Sequence, residues 1–126
     1  MKVRDTLRKI LVADDAEFFR VRVSNLLAGE NFEILQASCG TQAVSIFKNE
    51  HPDLVFLDLS ISNMEGLDSL KKIKDIDPEA KVVMLSMLGE ENAVFEAIQS
   101  GARNYLRKPV DRNHFSYILE KQFAQV

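Results

Sequence analysis

Three carboxylates, one hydroxyl and one lysine lie at or just beyond the ends of short apolar runs in the sequence. They are Asp14, Asp15, Asp58, Ser86 and Lys108. Two like charges about 4 Å apart repel each other by roughly 4 kcal/mol at an effective dielectric constant of about 20. Three aspartates that meet at one place therefore need a positive partner, which a hard divalent cation or a lysine can supply.

Holding a phosphoryl group is the chemistry that suits this set of side chains. Mg²⁺ binds oxygen ligands, keeps several of its waters, and favours one or two carboxylates together with phosphate oxygens. Phosphoryl transfer depends mainly on positioning and charge stabilisation, and a carboxylate can accept the group as an aspartyl phosphate. The sequence thus predicts a Mg²⁺ site, with Lys108 as the remaining positive charge.

Short apolar runs alternate with segments of helical periodicity along the chain. The runs predict five strands, at 10–13, 32–35, 54–57, 82–85 and 105–106. Runs rich in Val, Ile and Leu are typical of strands buried on both faces of a parallel sheet. Five helical segments separate and follow them. Gly29 and Gly101 are predicted to end the first and fourth helices, Asp77 with Pro78 the third, and Asp111 to cap the fifth.

This alternation predicts an α/β fold, a doubly wound (βα)5 parallel sheet. Parallel strands need crossover connections, and right-handed crossovers place helices on both faces of the sheet. Ligands of such sheets bind beyond the carboxyl ends of the strands, where the strand order reverses. We therefore expect Asp14, Asp15 and Asp58 to lie at that edge.

Length and composition exclude several classes of protein. The 126 residues suit one domain, and the net charge of −3 disfavours binding to nucleic acid, because duplex-binding modules are usually basic. One cysteine cannot form an intramolecular disulfide and fits a reducing compartment. The longest apolar runs have four residues, whereas a membrane span needs about 20. Without a recognisable signal peptide, we expect a cytoplasmic protein that contacts neither membrane nor nucleic acid directly.

Four segments of the sequence resemble the receiver domain of bacterial two-component response regulators, the CheY-like family. They are residues 10–15, 53–58, 82–86 and 101–109. Each segment alone is a weak signal, but in this order and on this strand rhythm they are highly specific. The resemblance implies a flavodoxin-like sheet of five parallel strands in the order 2-1-3-4-5. It also implies a receiver domain over residues 9–126, preceded by an N-terminal arm over residues 1–8.

The resemblance also assigns roles around the phosphoryl group. Asp58 is implied to be the phosphoacceptor, and Ser86 and Lys108 are implied to contact two phosphoryl oxygens. The peptide bond between Lys108 and Pro109 is expected to be cis. Tyr105 resembles the aromatic switch residue whose ring position follows the displacement of Ser86.

A magnesium site is implied by the same resemblance. Asp15 is expected to bind Mg²⁺ directly, and Asp14 mostly through water. Asp58 and the backbone carbonyl of Ser60 would complete the protein ligands.

A single-domain response regulator is the function that the resemblance implies. It would not be an enzyme, except that it assists its own phosphorylation and dephosphorylation. A sensor histidine kinase or a phosphotransfer protein would phosphorylate Asp58, and the changed surface of helix 4, strand 5 and helix 5 would bind a downstream protein. Such a partner belongs to a pathway such as chemotaxis or a phosphorelay.

Two other interpretations are open at this point. The chain could be the excised receiver domain of a longer regulator that has a DNA-binding or enzymatic output domain. A Mg²⁺ phosphohydrolase of the haloacid dehalogenase kind is disfavoured, because that family has Asp-x-Asp at the nucleophile. Here Ser60 occupies the second position.

Two places depart from the family pattern. Ile61 and Ser62 occupy positions where Met-Pro is usual, so that the loop after Asp58 lacks a fixed φ and is expected to be more mobile. Met87 replaces the small residue that usually follows the switch hydroxyl, and we expect its side chain to shield the site. The competing interpretation is that Met87 points away from the site and packs on helix 4.

Overall fold

Strands and helices alternate throughout residues 7–124, the part of the chain that the computed structural model describes. The strands are Arg8–Ala13 (β1), Phe32–Ala37 (β2), Leu54–Asp58 (β3), Val82–Ser86 (β4) and Asn104–Arg107 (β5). The helices are Glu17–Leu26 (α1), Gly40–Glu50 (α2), Gly66–Ile76 (α3), Glu91–Gln99 (α4) and Arg112–Phe123 (α5). The five predicted strands and five predicted helices are confirmed, and each strand is longer than its apolar run.

The strands form one parallel sheet in the order β2-β1-β3-β4-β5. This is the order that the resemblance implies. The strand order reverses between β1 and β3, where Ala13 pairs with Leu57. Asp14 and Asp58 come directly after these two paired residues, so the register itself brings their side chains to the same level at the carboxyl edge.

Two apolar cores hold the sheet, one on each face. Along β1, Leu11 and Ala13 contribute to the core beneath α2, α3 and α4, whereas Ile10 and Val12 contribute to the core beneath α1 and α5. β3 and β4 are buried along their whole length, as their unbroken apolar runs predict. Each fully buried Leu, Ile or Phe contributes roughly 2 kcal/mol of transfer free energy. The polar residues at the strand ends are therefore mounted on a tightly packed scaffold.

The ends of three helices test the predicted boundaries. The prediction that Gly29 ends α1 is wrong, because Leu27 is the C-cap residue and Gly29 (φ 89°) lies in the turn beyond it. Gly101 (φ 111°) does follow α4, as predicted. Asp111 caps α5, since its carboxylate accepts a hydrogen bond of 2.9 Å from the backbone N–H of His114.

Two sequence predictions concern the limits of the described chain. The predicted N-terminal arm lies mostly outside the described residues, and Arg8, its last residue, is already the first residue of β1. Across residues 7–124, no helix combines the length and the apolar character that crossing a membrane requires.

Candidate functional site

Three carboxylates meet where β1 and β3 lie side by side. Asp14 and Asp15 follow β1, and Asp58 is the last residue of β3. One carboxylate oxygen from each residue lies within 4.8 Å of the other two. Asp14 and Asp58 are buried, whereas Asp15 is exposed. The strand register thus concentrates the charge that the sequence predicted at this edge.

Lys108 supplies the positive charge of the cluster. Its ammonium group is paired with the carboxylate of Asp14 and lies 3.6 Å from Oδ2 of Asp58. The backbone N–H of Lys108 donates a hydrogen bond of 2.8 Å to the carbonyl of Ser86, which fixes the lysine beside the end of β4. The peptide bond to Pro109 is cis, as predicted. With only 16% of its side chain exposed, Lys108 is held at the site by its partners.

Asp14 and Asp15 have different surroundings although they are adjacent. Asp14 Oδ1 accepts a hydrogen bond of 2.9 Å from the N–H of Ala16, and its Oδ2 is paired with Lys108. Both oxygens of Asp14 are therefore engaged within the protein. Asp15 is exposed, so its carboxylate can bind a metal ion without breaking a buried ion pair.

Burial raises the pKa of the Asp58 carboxyl above its ordinary value. The backbone N–H of Ser60 donates to Oδ1 of Asp58, over 3.1 Å, and this bond opposes the rise. The charges of Asp14 and Asp15 add to the rise, and that of Lys108 opposes it. The folded chain thus disfavours the ionised form of Asp58 unless a further positive charge is present.

Asp58→Asn is expected to raise the free energy of unfolding at about pH 7 when no Mg²⁺ is present. Because its folded-state pKa is raised, the ionised Asp58 carboxylate destabilises the native state at neutral pH. This cost is absent below the unfolded-state pKa of about 3.9 and grows as the pH rises through the folded-state pKa. Urea unfolding should show a larger gain at about pH 7 than at about pH 4. A variant that is less stable than wild type at neutral pH would contradict this.

The donor set fits a hard divalent cation. Three carboxylates against one ammonium group leave an excess of two negative charges at the site. Carboxylate oxygens are the ligands that Mg²⁺ prefers. Among the described residues, every fully buried side-chain N or O atom has a hydrogen-bond partner, so the cluster is organised rather than strained by unmet bonds.

Ser86 and Tyr105 lie on the neighbouring strands. Ser86 is buried at the end of β4, and Tyr105 of β5 is 40% exposed. Both residues line an apolar groove of about 280 Å³ between α4 and β5, together with Met87 and Phe95. A displacement of Ser86 toward Asp58 would therefore alter the wall of a groove that Tyr105 shares.

Met87 lies between two apolar surface features. Its side chain is 52% exposed. It lines the groove with Tyr105 and also a second apolar pocket formed by Phe18, Lys108 and Pro109. Its position beside Lys108 is compatible with shielding one side of the site, which stays a prediction.

The loop after β3 is tied to α2. The carbonyl of Ser62 accepts a hydrogen bond of 2.8 Å from Gly40, and that of Asn63 accepts one of 3.2 Å from Thr41. Asn63 and Met64 adopt positive φ values of 52° and 106°. Such backbone conformations cost about 1–3 kcal/mol each and persist where the surroundings enforce them. Hydrogen bonds to α2 thus restrain a loop in which the missing proline led us to expect mobility.

Two residues of the site were missed by the sequence analysis. Nη1 of Arg20 donates a hydrogen bond of 2.7 Å to the backbone carbonyl of Asp14 and so holds the turn between β1 and α1. The carboxylate of Glu90 accepts hydrogen bonds from Ser60 and from Met87. Neither has a sequence signal, because an exposed-looking Arg or Glu near the first turn of a helix is common.

Known proteins are similar to this chain in sequence and in fold. The family model described as the response regulator receiver domain matches residues 10–120. The chemotaxis protein CheY of Bacillus subtilis is 40% identical over 102 residues, which cover 80% of this chain and 85% of that protein. Sporulation initiation phosphotransferase F of Bacillus subtilis is 36% identical over 103 residues, which cover 82% of this chain and 83% of the relative.

A solved structure agrees with the sequence comparison. The chain matches one from the crystal structure of the CheX–CheY–BeF3–Mg²⁺ complex from Borrelia burgdorferi, with a TM-score of 0.87 and 30% identity. The match covers 94% of this chain and 90% of that one. Because the family model spans most of the sequence and the sheet order is the one that the fold requires, this chain belongs to the response regulator receiver domain family.

Proposed function

We propose that this chain receives a phosphoryl group on Asp58 from a sensor histidine kinase or a phosphotransfer protein, in the cytoplasm, and passes the signal to another protein. The observation that carries the proposal is the position of Asp58. Its carboxylate is buried beside two further carboxylates and lies 3.6 Å from the ammonium group of Lys108. Membership of a family of signalling domains supports a role without enzymatic turnover of other substrates.

Asp58 would act as the nucleophile. A carboxylate oxygen forms a bond to phosphorus while the bond between phosphorus and the donor nitrogen breaks, and the donor imidazole leaves with the electron pair. The Ser60 N–H, bonded to Oδ1 of Asp58, orients the carboxyl group during this step. Lys108 and Ser86 would each bind one oxygen of the transferred group. Their fixed positions at the ends of β5 and β4 support these roles.

Mg²⁺ would be held by Asp15, by Asp58 and by the Ser60 carbonyl, with Asp14 contributing mostly through water. Bound there, the ion would neutralise the negative charge that the site and the phosphoryl group share. The exposure of Asp15 and the engagement of both Asp14 oxygens support this division of roles.

The signal would leave through α4, β5 and α5. When Ser86 moves to bind the phosphoryl group, Tyr105 follows into the groove that the two residues share, and the balance between two conformations shifts. Phe95, Tyr105 and Tyr117 expose large apolar side chains on these three elements. Exposed aromatic residues of this kind suit a protein partner. The similarity to a chemotaxis protein and to a sporulation phosphotransferase favours a partner protein in chemotaxis or in a phosphorelay.

Lys108→Ala is expected to leave Asp58 able to accept a phosphoryl group while weakening the conformational response. Lys108 would bind a phosphoryl oxygen and is not a metal ligand, so Mg²⁺ binding should be retained. Hydrogen exchange of α4 and β5, measured with and without phosphorylation, should show a difference in wild type that largely disappears in the variant. A variant that keeps the full difference would refute this role.

The proposed function is tested by phosphotransfer. A panel of autophosphorylated histidine kinases is incubated with the chain and Mg²⁺, and the label on each protein is followed over time. We expect rapid transfer from a small subset of kinases and none after Mg²⁺ is removed with a chelator. Failure to acquire label from any kinase or from a small acyl phosphate would contradict the proposal.

A further inference from the structure

Glu90 connects the two loops that flank Asp58. Its Oε2 accepts a hydrogen bond of 2.6 Å from the hydroxyl of Ser60, in the loop after β3. Its Oε1 accepts one of 2.6 Å from the backbone N–H of Met87, in the loop after β4. One carboxylate therefore bridges the loop that carries Ser60 (the Ser60 loop) and the loop that follows Ser86 (the Ser86 loop).

The carboxylate of Glu90 is not used to cap its own helix. Glu90 is the residue that precedes α4, and its side chain makes no capping bond there. Its backbone carbonyl accepts the N–H of Val94, over 2.9 Å, so that α4 begins normally without the side chain. Both carboxylate oxygens instead accept hydrogen bonds from groups outside α4. Hydrogen bonds to an ionised acceptor are roughly twice as strong as neutral ones, so the two bonds restrain the loops although both lie at the exposed surface.

Each end of the bridge continues to a group that would act on the phosphoryl group. Ser60 holds Oδ1 of Asp58 through its backbone N–H. Met87 directly follows Ser86, whose carbonyl in turn accepts the N–H of Lys108. Glu90 is thus connected to the acceptor carboxylate on one side and to the two phosphoryl-binding residues on the other.

We infer that Glu90 is a positioning residue, whose carboxylate sets the spacing between the Ser60 loop and the Ser86 loop and so the geometry in which Asp58 is phosphorylated. The inference rests on the proposed role of Asp58. Phosphoryl transfer depends almost wholly on positioning and electrostatics, and small misplacements cost large factors in rate. Without the bridge, the two loops relax independently and the acceptor is aligned in a smaller fraction of molecules.

The test is the rate of phosphorylation by acetyl phosphate, a small donor that needs no docking surface. Glu90→Ala is expected to lower the maximal rate by about tenfold. The unfolding midpoint should remain close to that of wild type, because no core residue is removed. Glu90→Gln keeps one acceptor oxygen and should lie between Glu90→Ala and wild type.

Glu65→Ala is the matched control for charge. Glu65 is exposed, lines with Glu90 a separate pocket between the loop after β3 and the start of α4, and does not cap its own helix. If the negative charge near the site were what mattered, removing either glutamate would change the rate alike. We expect the rate of Glu65→Ala to equal that of wild type, and equal effects of the two variants would overturn the inference.

A double-mutant cycle with Ser60→Ala tests whether Glu90 acts through this contact. Ser60→Ala removes the hydroxyl and keeps the backbone N–H that holds Asp58. If the bridge acts as a unit, the double variant is about as slow as the slower single variant. Additive losses, or a wild-type rate for Glu90→Ala, would overturn the inference. If instead the wild-type chain were not phosphorylated at all, the proposed function itself would fail.

Discussion

Asp58→Asn is expected to abolish phosphorylation by small acyl phosphates and by histidine kinases. The amide oxygen of asparagine is a far weaker nucleophile than a carboxylate, and the substitution otherwise preserves the shape of the side chain. Intact-mass measurement after incubation with donor and Mg²⁺ should show one added phosphoryl group on wild type and none on the variant.

Asp53→Asn provides the control for this experiment. Asp53 lies just before the opposite end of β3, where its Oδ2 accepts the backbone N–H of Lys9, over 2.7 Å. An asparagine can accept the same hydrogen bond, so this variant should be phosphorylated as wild type is. Phosphorylation of Asp58→Asn at the wild-type level would show that another side chain is the acceptor.

Asp15→Ala is expected mainly to weaken Mg²⁺ binding, whereas Asp14→Ala is expected mainly to lower the stability of the fold. Asp15 is exposed and would be a direct Mg²⁺ ligand, so its loss should weaken Mg²⁺ binding by at least about tenfold, which is about 1.4 kcal/mol. The fold should keep its stability. Asp14 is buried and paired with Lys108, so its loss should lower the free energy of unfolding by about 2 kcal/mol.

Titration calorimetry with Mg²⁺ and urea unfolding followed by circular dichroism separate the two effects. If Asp15→Ala bound Mg²⁺ as tightly as wild type, the direct coordination by Asp15 would be wrong. If Asp14→Ala were as stable as wild type, the buried pair with Lys108 would have no net stabilising role. In that case the relief of repulsion among the three carboxylates would offset the lost ion pair.

The sequence predicts the elements of this fold most clearly where a strand is an unbroken apolar run. β3 and β4 are continuous apolar runs that suit burial on both faces, and a polar residue marks the carboxyl end of each. Asp58 and Ser86 could thus be assigned to the same edge of the sheet. The order of the strands does not follow from periodicity, since it depends on contacts between distant segments, and it came from the family resemblance.

Features that depend on contacts between loops could not be predicted from the sequence. Glu90 reaches Ser60 across thirty positions of sequence, and no local pattern marks that contact. Gly29 was predicted to end α1 because glycine is common just after helices, but the backbone leaves the helix two residues earlier, at Leu27. The sequence predicts Lys108 as the positive charge of the cluster but not that it pairs with Asp14, because Asp14 and Asp15 are adjacent in sequence and differ in burial.

Asp58 must be the residue that carries the phosphoryl group if the proposed function is correct. Borohydride reduces an aspartyl phosphate to homoserine, so that the modified position can be read from peptides by mass spectrometry. Wild-type chain that has been phosphorylated in the presence of Mg²⁺ and then reduced should contain homoserine at position 58 and at no other aspartate. Homoserine at Asp14 or Asp15, or phosphate on a side chain that borohydride leaves intact, would contradict the assignment of Asp58 as the phosphoacceptor.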